Sequence, residues 1–200
     1  MRLVRKSALL SVLLVVFLQG SALAATANVT MTEYVFTPKS SSINFGDSVK
    51  WTNGGTVAHT STSNTPLSLW DSGSVPVGST FTFAFTAGGK YQYHCTFHQS
   101  LGMTGTVSVK IKATPPSGPM GTVFTITVAS INAPTGFVYD IQMKKPGGSF
   151  QNWKPGTITK SVTWDSTGQP TGTYQFRSRL HNTSTNAASQ YSAAKSIMVT

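Results

Sequence analysis

Acidic residues and cysteine are scarce in this chain of 200 residues. Aspartate and glutamate together number only five, so the chain offers no pair of carboxylates for general acid–base catalysis and no Ser-His-Asp set. The single cysteine, Cys95, has no partner for an internal disulfide, which leaves burial as a thiol, pairing with another chain, or metal binding. These absences predict that the protein is not an enzyme.

Long apolar runs are also lacking after the N-terminus. Residues 1–6 are basic, residues 7–18 are almost wholly apolar, and Ala22-Leu23-Ala24 supplies a small-x-small cleavage pattern. This order predicts a secretory signal peptide over residues 1–24, with an uncleaved N-terminal anchor as the open alternative. We therefore expect an extracytoplasmic protein, secreted, periplasmic or associated with the cell surface, without a membrane span after cleavage.

The charge that remains is modestly positive. Without Arg2, Arg5 and Lys6 the chain keeps 12 Lys and Arg residues against the five acidic ones, a net charge of +7. Such a surface favours acidic redox partners or anionic cell-surface polymers. The charges are too sparse and too dispersed to indicate a nucleic-acid partner.

From residue 25 onward the sequence is typical of an all-β protein, with short alternating segments separated by Gly, Pro and Asn. Residues 29–37 are predicted to form one strand, and residues 80–85 a strand with three phenylalanines on one face. The Pro-rich stretch 113–119 predicts a linker. The expected domains are therefore residues 25–112 and residues 120–200, each large enough for a β-sandwich.

The loop after Cys95 carries three side chains suited to copper. His98 follows three residues after Cys95, and Met103 follows five residues later. A thiolate, an imidazole and a thioether together favour copper over zinc, calcium or magnesium. A second histidine would complete the His2Cys set with a weak axial methionine that defines a blue-copper site.

That second histidine is predicted to be His59. His94 neighbours Cys95 on an extended segment, so its side chain should point to the opposite face, and His181 lies in the other half of the chain. Taken alone, the residues leave alternatives open. In these, Cys95 is a plain buried thiol, Met103 is a core residue while a backbone oxygen serves as the axial ligand, and His59 is a turn residue.

Residues 26–111 resemble the plastocyanin-like cupredoxins. The resemblance rests on five ordered segments: Gly46–Asn53 followed by His59, Asp71–Gly73, Phe81–Phe83, Tyr91–His98 and Met103–Val107. It implies a Greek-key β-sandwich and one type 1 copper ion bound by His59, Cys95, His98 and Met103. Plastocyanins usually have asparagine after the first histidine, where this chain has Thr60, whose hydroxyl can also tie the two ligand loops together.

The scarcity of histidine limits the copper chemistry to one mononuclear site. The copper nitrite reductases place a second, catalytic copper on a histidine beside the cysteine ligand, and that site needs further histidines that this chain lacks. A trinuclear oxidase cluster would need paired His-x-His motifs, which are absent as well.

The second half resembles a fibronectin type III or immunoglobulin-like domain, through the segments Gly172–Arg179, Ser189–Ser192 and Ser196–Val199. Together, the resemblances of the two halves predict an exported blue-copper protein that carries electrons between transient redox partners. Two alternatives are a protein that holds or delivers copper, and an adhesion-type surface protein with a cupredoxin module.

Overall fold

The computed structural model describes residues 24–200, and the predicted signal peptide lies outside these residues except for Ala24. Over this range the chain consists of β-strands, loops and a single 3-10 turn, Gln99–Leu101. Within the same range, none of the helical segments is both long and apolar enough to cross a bilayer. The predicted all-β class is confirmed.

The N-terminal half contains two four-stranded sheets. Its strands are β1 (Thr26–Thr32), β2 (Val35–Thr37), β3 (Ser40–Asn44), β4 (Ser48–Asn53), β5 (Thr62–Ser63), β6 (Thr80–Ala84), β7 (Gly89–His94) and β8 (Thr104–Lys110). One sheet has the order β2-β1-β4-β6 and the other the order β3-β8-β7-β5. The pairs β1–β4 and β3–β8 are parallel, and the other neighbours are antiparallel.

Aromatic side chains from both sheets fill the space between them. Trp51 on β4 and Tyr93 on β7 are fully buried and meet edge to face, with ring centroids 5.4 Å apart. The Trp70 ring stacks on the Phe83 ring with centroids 5.0 Å apart, and it contacts the Phe85 ring edge to face with centroids 5.2 Å apart. Alternation along β6 thus turns its phenylalanines toward the core, as the period of two predicts.

The prediction of one strand over residues 29–37 is wrong, because a turn at Glu33 and Tyr34 separates β1 from β2. The Glu33 carboxylate accepts hydrogen bonds from the amide and the hydroxyl of Thr56, on the loop after β4. Tyr34 takes a left-handed backbone conformation with φ of 64°. A contact distant in sequence therefore interrupts the strand, and the local alternation gave no sign of it.

The C-terminal half contains two further sheets. Its strands are β9 (Lys112–Thr114), β10 (Ser117–Gly118), β11 (Val123–Thr127), β12 (Phe137–Lys144), β13 (Phe150–Thr157), β14 (Ser161–Asp165), β15 (Gly172–Asn182) and β16 (Lys195–Val199). The sheet orders are β10-β16-β15-β12-β13 and β14-β11-β9. Strands β9 and β10 occupy most of the stretch predicted as a linker. The predicted domain boundaries and the fibronectin type III resemblance stay predictions.

The two halves share backbone hydrogen bonds and one continuous core. The Lys90 amide donates to the Gln190 carbonyl at 2.9 Å, and the Gln190 amide donates back at 3.1 Å. The Gly88 amide donates to the Val128 carbonyl at 2.7 Å, and a Cβ on Gly88 would lie only 3.1 Å from that carbonyl oxygen. Strand β7 therefore runs from this junction to Cys95.

A buried carboxylate fixes the beginning of the first sheet. Asp47, only 8% exposed, accepts hydrogen bonds from the Ala25 amide at 2.8 Å and the Asn44 amide at 2.9 Å. Burial works to raise the pKa of Asp47, but the hydrogen bonds from Ala25 and Asn44 outweigh it and hold the pKa below the ordinary value of 3.8. The ionised form therefore stabilises the folded chain.

We expect Asp47→Asn to lower the free energy of unfolding at pH 7 by about 2 kcal/mol, because hydrogen bonds to an ionised group contribute roughly 1.5–3 kcal/mol. Since the pKa is lowered by folding, this stabilisation is present above the unfolded-state pKa and disappears as the pH falls through the folded-state value. Urea unfolding from pH 7 to pH 3 measures it. Asp165→Asn is the control and should give a smaller change, because this exposed carboxylate accepts only from Thr167 two residues away. A difference that did not shrink between pH 7 and pH 3 would contradict the assignment.

Candidate metal centre

Cys95 follows directly after β7, and its backbone closes a tight loop. The Cys95 amide donates to the Met103 carbonyl at 3.0 Å, and the Cys95 carbonyl accepts from the His98 amide at 3.1 Å. Gly102 has φ of 82° and donates its amide to the Gln99 carbonyl, which turns the chain back toward β8. This loop returns His98 and Met103 to the end of the strand that carries Cys95.

His59 is held on the neighbouring loop by Asn53 at the end of β4. The buried Asn53 side-chain amide donates to the Val57 and Val75 carbonyls, each at 2.8 Å, and its oxygen accepts from the Gly55 amide at 3.0 Å. The His59 backbone forms a bridge with Val75, with hydrogen bonds of 2.8 and 3.3 Å. The imidazole is thereby fixed at the same end of the sandwich as Cys95.

Three candidate ligand atoms converge there. The Nδ1 atoms of His59 and His98 lie 3.2 Å apart, and Cys95 Sγ lies 3.8 Å from His59 Nδ1 and 3.4 Å from His98 Nδ1. Bonds of about 2.0 Å to imidazole and 2.3 Å to thiolate, the values found for zinc, span such separations at angles roughly between tetrahedral and trigonal. The three atoms therefore fit one metal ion.

The surroundings favour the neutral imidazole that a metal ligand requires. Burial lowers the pKa of His59, and the nearby His98 lowers it further. Cys95 and His59 are fully buried, whereas His98 is half-buried. Water is thus kept from the sulfur, while the His98 edge remains accessible.

Met103 occupies the same loop and is fully buried. Its amide donates to the His98 carbonyl at 3.3 Å, and its carbonyl accepts the Cys95 amide. The backbone therefore ties Met103 to two of the other predicted ligands. Its thioether as the axial ligand, and the four-residue ligand set as a whole, stay predictions.

Thr60 links the two ligand loops, as expected of a hydroxyl in the place of asparagine. The Thr60 amide donates to Cys95 Sγ at 3.3 Å. Its hydroxyl oxygen accepts from the Thr96 amide at 2.8 Å. The sulfur is thus held by a donor from the His59 loop, and each loop fixes the other.

The other two histidines bond elsewhere. His94 Nδ1 lies 2.7 Å from Asn64 Oδ1, away from the sulfur. His181, in the C-terminal half, lies 3.1 Å from Asp140 through Nδ1 and 2.9 Å from Asn186 through Nε2. Within residues 24–200, His59, Cys95 and His98 form the one group of His, Cys or acidic side chains close enough to hold a metal ion.

Two features of the site escaped the sequence analysis. Tyr34 lies against His98 with ring centroids 5.0 Å apart, although the two residues are distant in sequence. Thr62 and Asp71 continue the hydrogen-bonded network that begins at Thr60. No local sequence pattern indicates the positive φ of Tyr34, and Asp71 belongs to one of the segments that carry the resemblance.

Comparison with known proteins gives one family match and several similar solved structures. Residues 23–110 match the family model of copper binding proteins of the plastocyanin/azurin family. The chain is also similar to a purple cupredoxin from Nitrosopumilus maritimus, with 27% identity over 42% of this chain and 99% of that chain at a TM-score of 0.39. Plastocyanin from Dryopteris crassirhizoma gives 24% identity over 42% and 100% of the two chains at a TM-score of 0.38. A variant of amicyanin gives 22% identity over 46% and 87% at a TM-score of 0.39.

No curated protein matches the chain. The copper-binding family match and the cluster of two imidazoles and one thiolate agree on the cofactor, which is copper.

Proposed function

We propose that this protein is an exported blue-copper electron carrier. The starting point is the match of residues 23–110 to the plastocyanin/azurin family of copper-binding proteins. The observation that carries the proposal is the convergence of His59 Nδ1, His98 Nδ1 and Cys95 Sγ at separations of 3.2 to 3.8 Å. A single bound copper ion supplies a one-electron couple. His59, Cys95, His98 and Met103 would hold the copper ion.

Hydrogen bonds within the protein hold this arrangement. Backbone hydrogen bonds fix Cys95, His98 and Met103 within one loop, and the Asn53 amide fixes the loop of His59. A rigid cage changes little between oxidation states, so the reorganisation that accompanies electron transfer stays small. This rigidity favours a carrier over a protein that must release its metal.

The exposed side of His98 is the proposed route for the electron. Three large apolar side chains surround or neighbour it: Tyr34 is 48% exposed, Phe97 53% and Leu101 58%. Tyr34 and Phe97 lie 5.0 and 6.3 Å from the His98 ring, centroid to centroid. An apolar surface at the metal edge suits brief docking by a redox partner.

Pro66 lines a separate crevice with Lys90 and Gln190. The docking surface that we propose therefore consists of Tyr34, Phe97 and Leu101 around His98. Export rests on the predicted signal peptide, and association with a cell surface rests on the positive charge of the chain.

Cu(II) titration followed by voltammetry tests the proposal. We expect one equivalent of copper to give an intense blue complex with a reversible one-electron couple and fast exchange. Tight retention of Cu(I) with slow electron exchange would favour copper storage or delivery instead. A colourless complex would contradict the blue-copper assignment, and a protein that binds no copper would contradict it and also favour the adhesion-type alternative.

A further inference from the structure

Three threonine hydroxyls lie between the ligand loops and the carboxylate of Asp71. The Oγ1 atoms of Thr60 and Thr96 are 3.2 Å apart, those of Thr62 and Thr96 are 3.1 Å apart, and those of Thr60 and Thr62 are 3.0 Å apart. Thr62 Oγ1 donates to Asp71 Oδ1 at 3.0 Å. The hydroxyls thus form a closed triangle with one corner on a carboxylate.

The single proton of each hydroxyl gives this network a direction. An ionised carboxylate only accepts, so the Thr62 proton is committed to Asp71 and Thr62 can only accept from its neighbours. The Thr60 hydroxyl donates to Thr96 Oγ1, which leaves the Thr96 proton for Thr62. Donation therefore runs from Thr60 through Thr96 and Thr62 to Asp71.

At the end formed by Thr60 and Thr96, this hydrogen-bonded chain contacts both ligand loops. The Thr96 amide, next to Cys95, donates to Thr60 Oγ1 at 2.8 Å. The Thr60 amide, next to His59, donates to Cys95 Sγ at 3.3 Å. Since hydrogen bonds in a chain polarise one another, an acceptor at the far end strengthens each bond along it.

Asp71 is itself fixed, although it is exposed. Its backbone forms a bridge with Thr62, and Oδ1 also accepts from the Gly73 amide at 2.9 Å. Alongside, the Ser72 amide donates to the Ser61 carbonyl at 3.1 Å, and the Ser61 amide donates to the Ser72 hydroxyl at 2.8 Å. The carboxylate is therefore held at the end of the hydroxyl chain by the fold.

We propose that Asp71 is a positioning residue for the copper centre, which orients a one-way chain of threonine hydroxyls joining the His59 loop to the Cys95 loop. This role rests on the proposed blue-copper function. Asp71 touches none of the proposed ligands and acts through Thr62, Thr96 and Thr60. The carboxylate thereby supports, through the other hydroxyls, the loop-linking role of Thr60.

Amide hydrogen exchange at Thr96 in the copper-free protein tests the chain directly. Thr62→Val removes the middle hydroxyl without changing charge, and Asp71→Asn replaces a pure acceptor by a group that also donates. We expect each variant to raise the exchange rate at Thr96 by about fivefold, the effect of losing roughly one net hydrogen bond. The double variant should add little to either single change, because both cut the same chain.

Three matched variants distinguish loss of the hydroxyl chain from a general loosening of the fold. Thr62→Ser keeps the hydroxyl and should restore the wild-type exchange rate. Thr82→Val, at an exposed strand position on β6, should leave Thr96 unchanged. Asp165→Asn should also leave it unchanged, although Asp165 accepts from the Thr167 amide and hydroxyl much as Asp71 accepts from Gly73 and Thr62.

The copper-loaded protein supplies the second measurement. Thr62→Val should shift the reduction potential and the copper EPR spectrum, whereas Thr82→Val should not. Wild-type exchange in Thr62→Val would overturn the chain, and altered exchange with an unchanged potential and EPR spectrum would overturn the positioning role. Failure of the wild-type protein to bind copper would instead defeat the proposed function, and the exchange experiment would still decide the hydroxyl chain.

Discussion

Replacing Cys95 by serine is expected to abolish the blue colour completely. The intense absorption of a blue-copper site requires the thiolate, and a serine hydroxyl is neither soft nor ionised at neutral pH. The substitution leaves the loop intact, because the hydrogen bonds of Cys95 to Met103 and His98 come from its backbone. Visible absorption during Cu(II) titration measures the loss, and thermal unfolding of the copper-free variant checks the fold.

His94 provides the matched control, because it is adjacent to Cys95 but bonds to Asn64 instead. We expect His94→Ala to keep the full blue absorption with one copper per chain, whereas His98→Ala should lose it as Cys95→Ser does. Blue colour in folded Cys95→Ser would contradict the site. So would loss of colour in a folded His94→Ala variant that still binds copper.

The convergence around Cys95 could be anticipated because it depends on few residues of distinctive chemistry. Cysteine, histidine and methionine on one short loop are soft or borderline ligands, and a loop of that length brings them back to one point. His59 followed from the small number of histidines. The structure adds which nitrogen of each ring faces the sulfur, and that depends on the Asn53 amide and on the turn at Gly102.

The hydroxyl chain to Asp71 could not be anticipated in the same way. Thr60 and Thr62 lie on one segment, Asp71 follows on another, and Thr96 comes from the Cys95 loop, so the network exists only after the sheets assemble. Threonine is also common throughout this β-rich chain, and no spacing distinguishes these three. The same limit applies to Glu33, whose bond to Thr56 ends β1 from a distance.

The contacts between the two halves also depend on residues that are distant in sequence. Proline in the stretch 113–119 predicted a linker, yet Ala113 is buried and Lys112–Thr114 pairs with β11. Proline weakens strand ladders but is tolerated at short edge strands. The close approach at Gly88 depends on Val128 and Ser178, which are distant in sequence.

An added methyl group at Gly105 on β8 should strongly destabilise the fold. It is the cross-strand partner of Tyr93 on β7, and the tyrosine ring lies directly over it. A Cβ on Gly105 would come under 3.0 Å from the Cζ and Oη atoms of Tyr93. That ring is fully buried between Trp51 at 5.4 Å and Phe36 at 4.7 Å, so it has no space into which to move.

We expect Gly105→Ala to lower the free energy of unfolding by about 3 kcal/mol, the upper range for overpacking a buried site. Gly105 is two residues from Met103, and Tyr93 is two residues from Cys95. A clash that separates β7 from β8 should therefore also weaken copper retention. Urea unfolding of the full chain measures the first effect, and competition with a copper chelator measures the second. Gly148→Ala is the control, because its Cβ would contact only the Lys145 carbonyl oxygen, at an ordinary 3.5 Å.

If the Tyr93 ring causes the loss of stability, combining Gly105→Ala with Tyr93→Leu should cost less free energy than the sum of the two single changes. Strict additivity would show that the strain arises elsewhere.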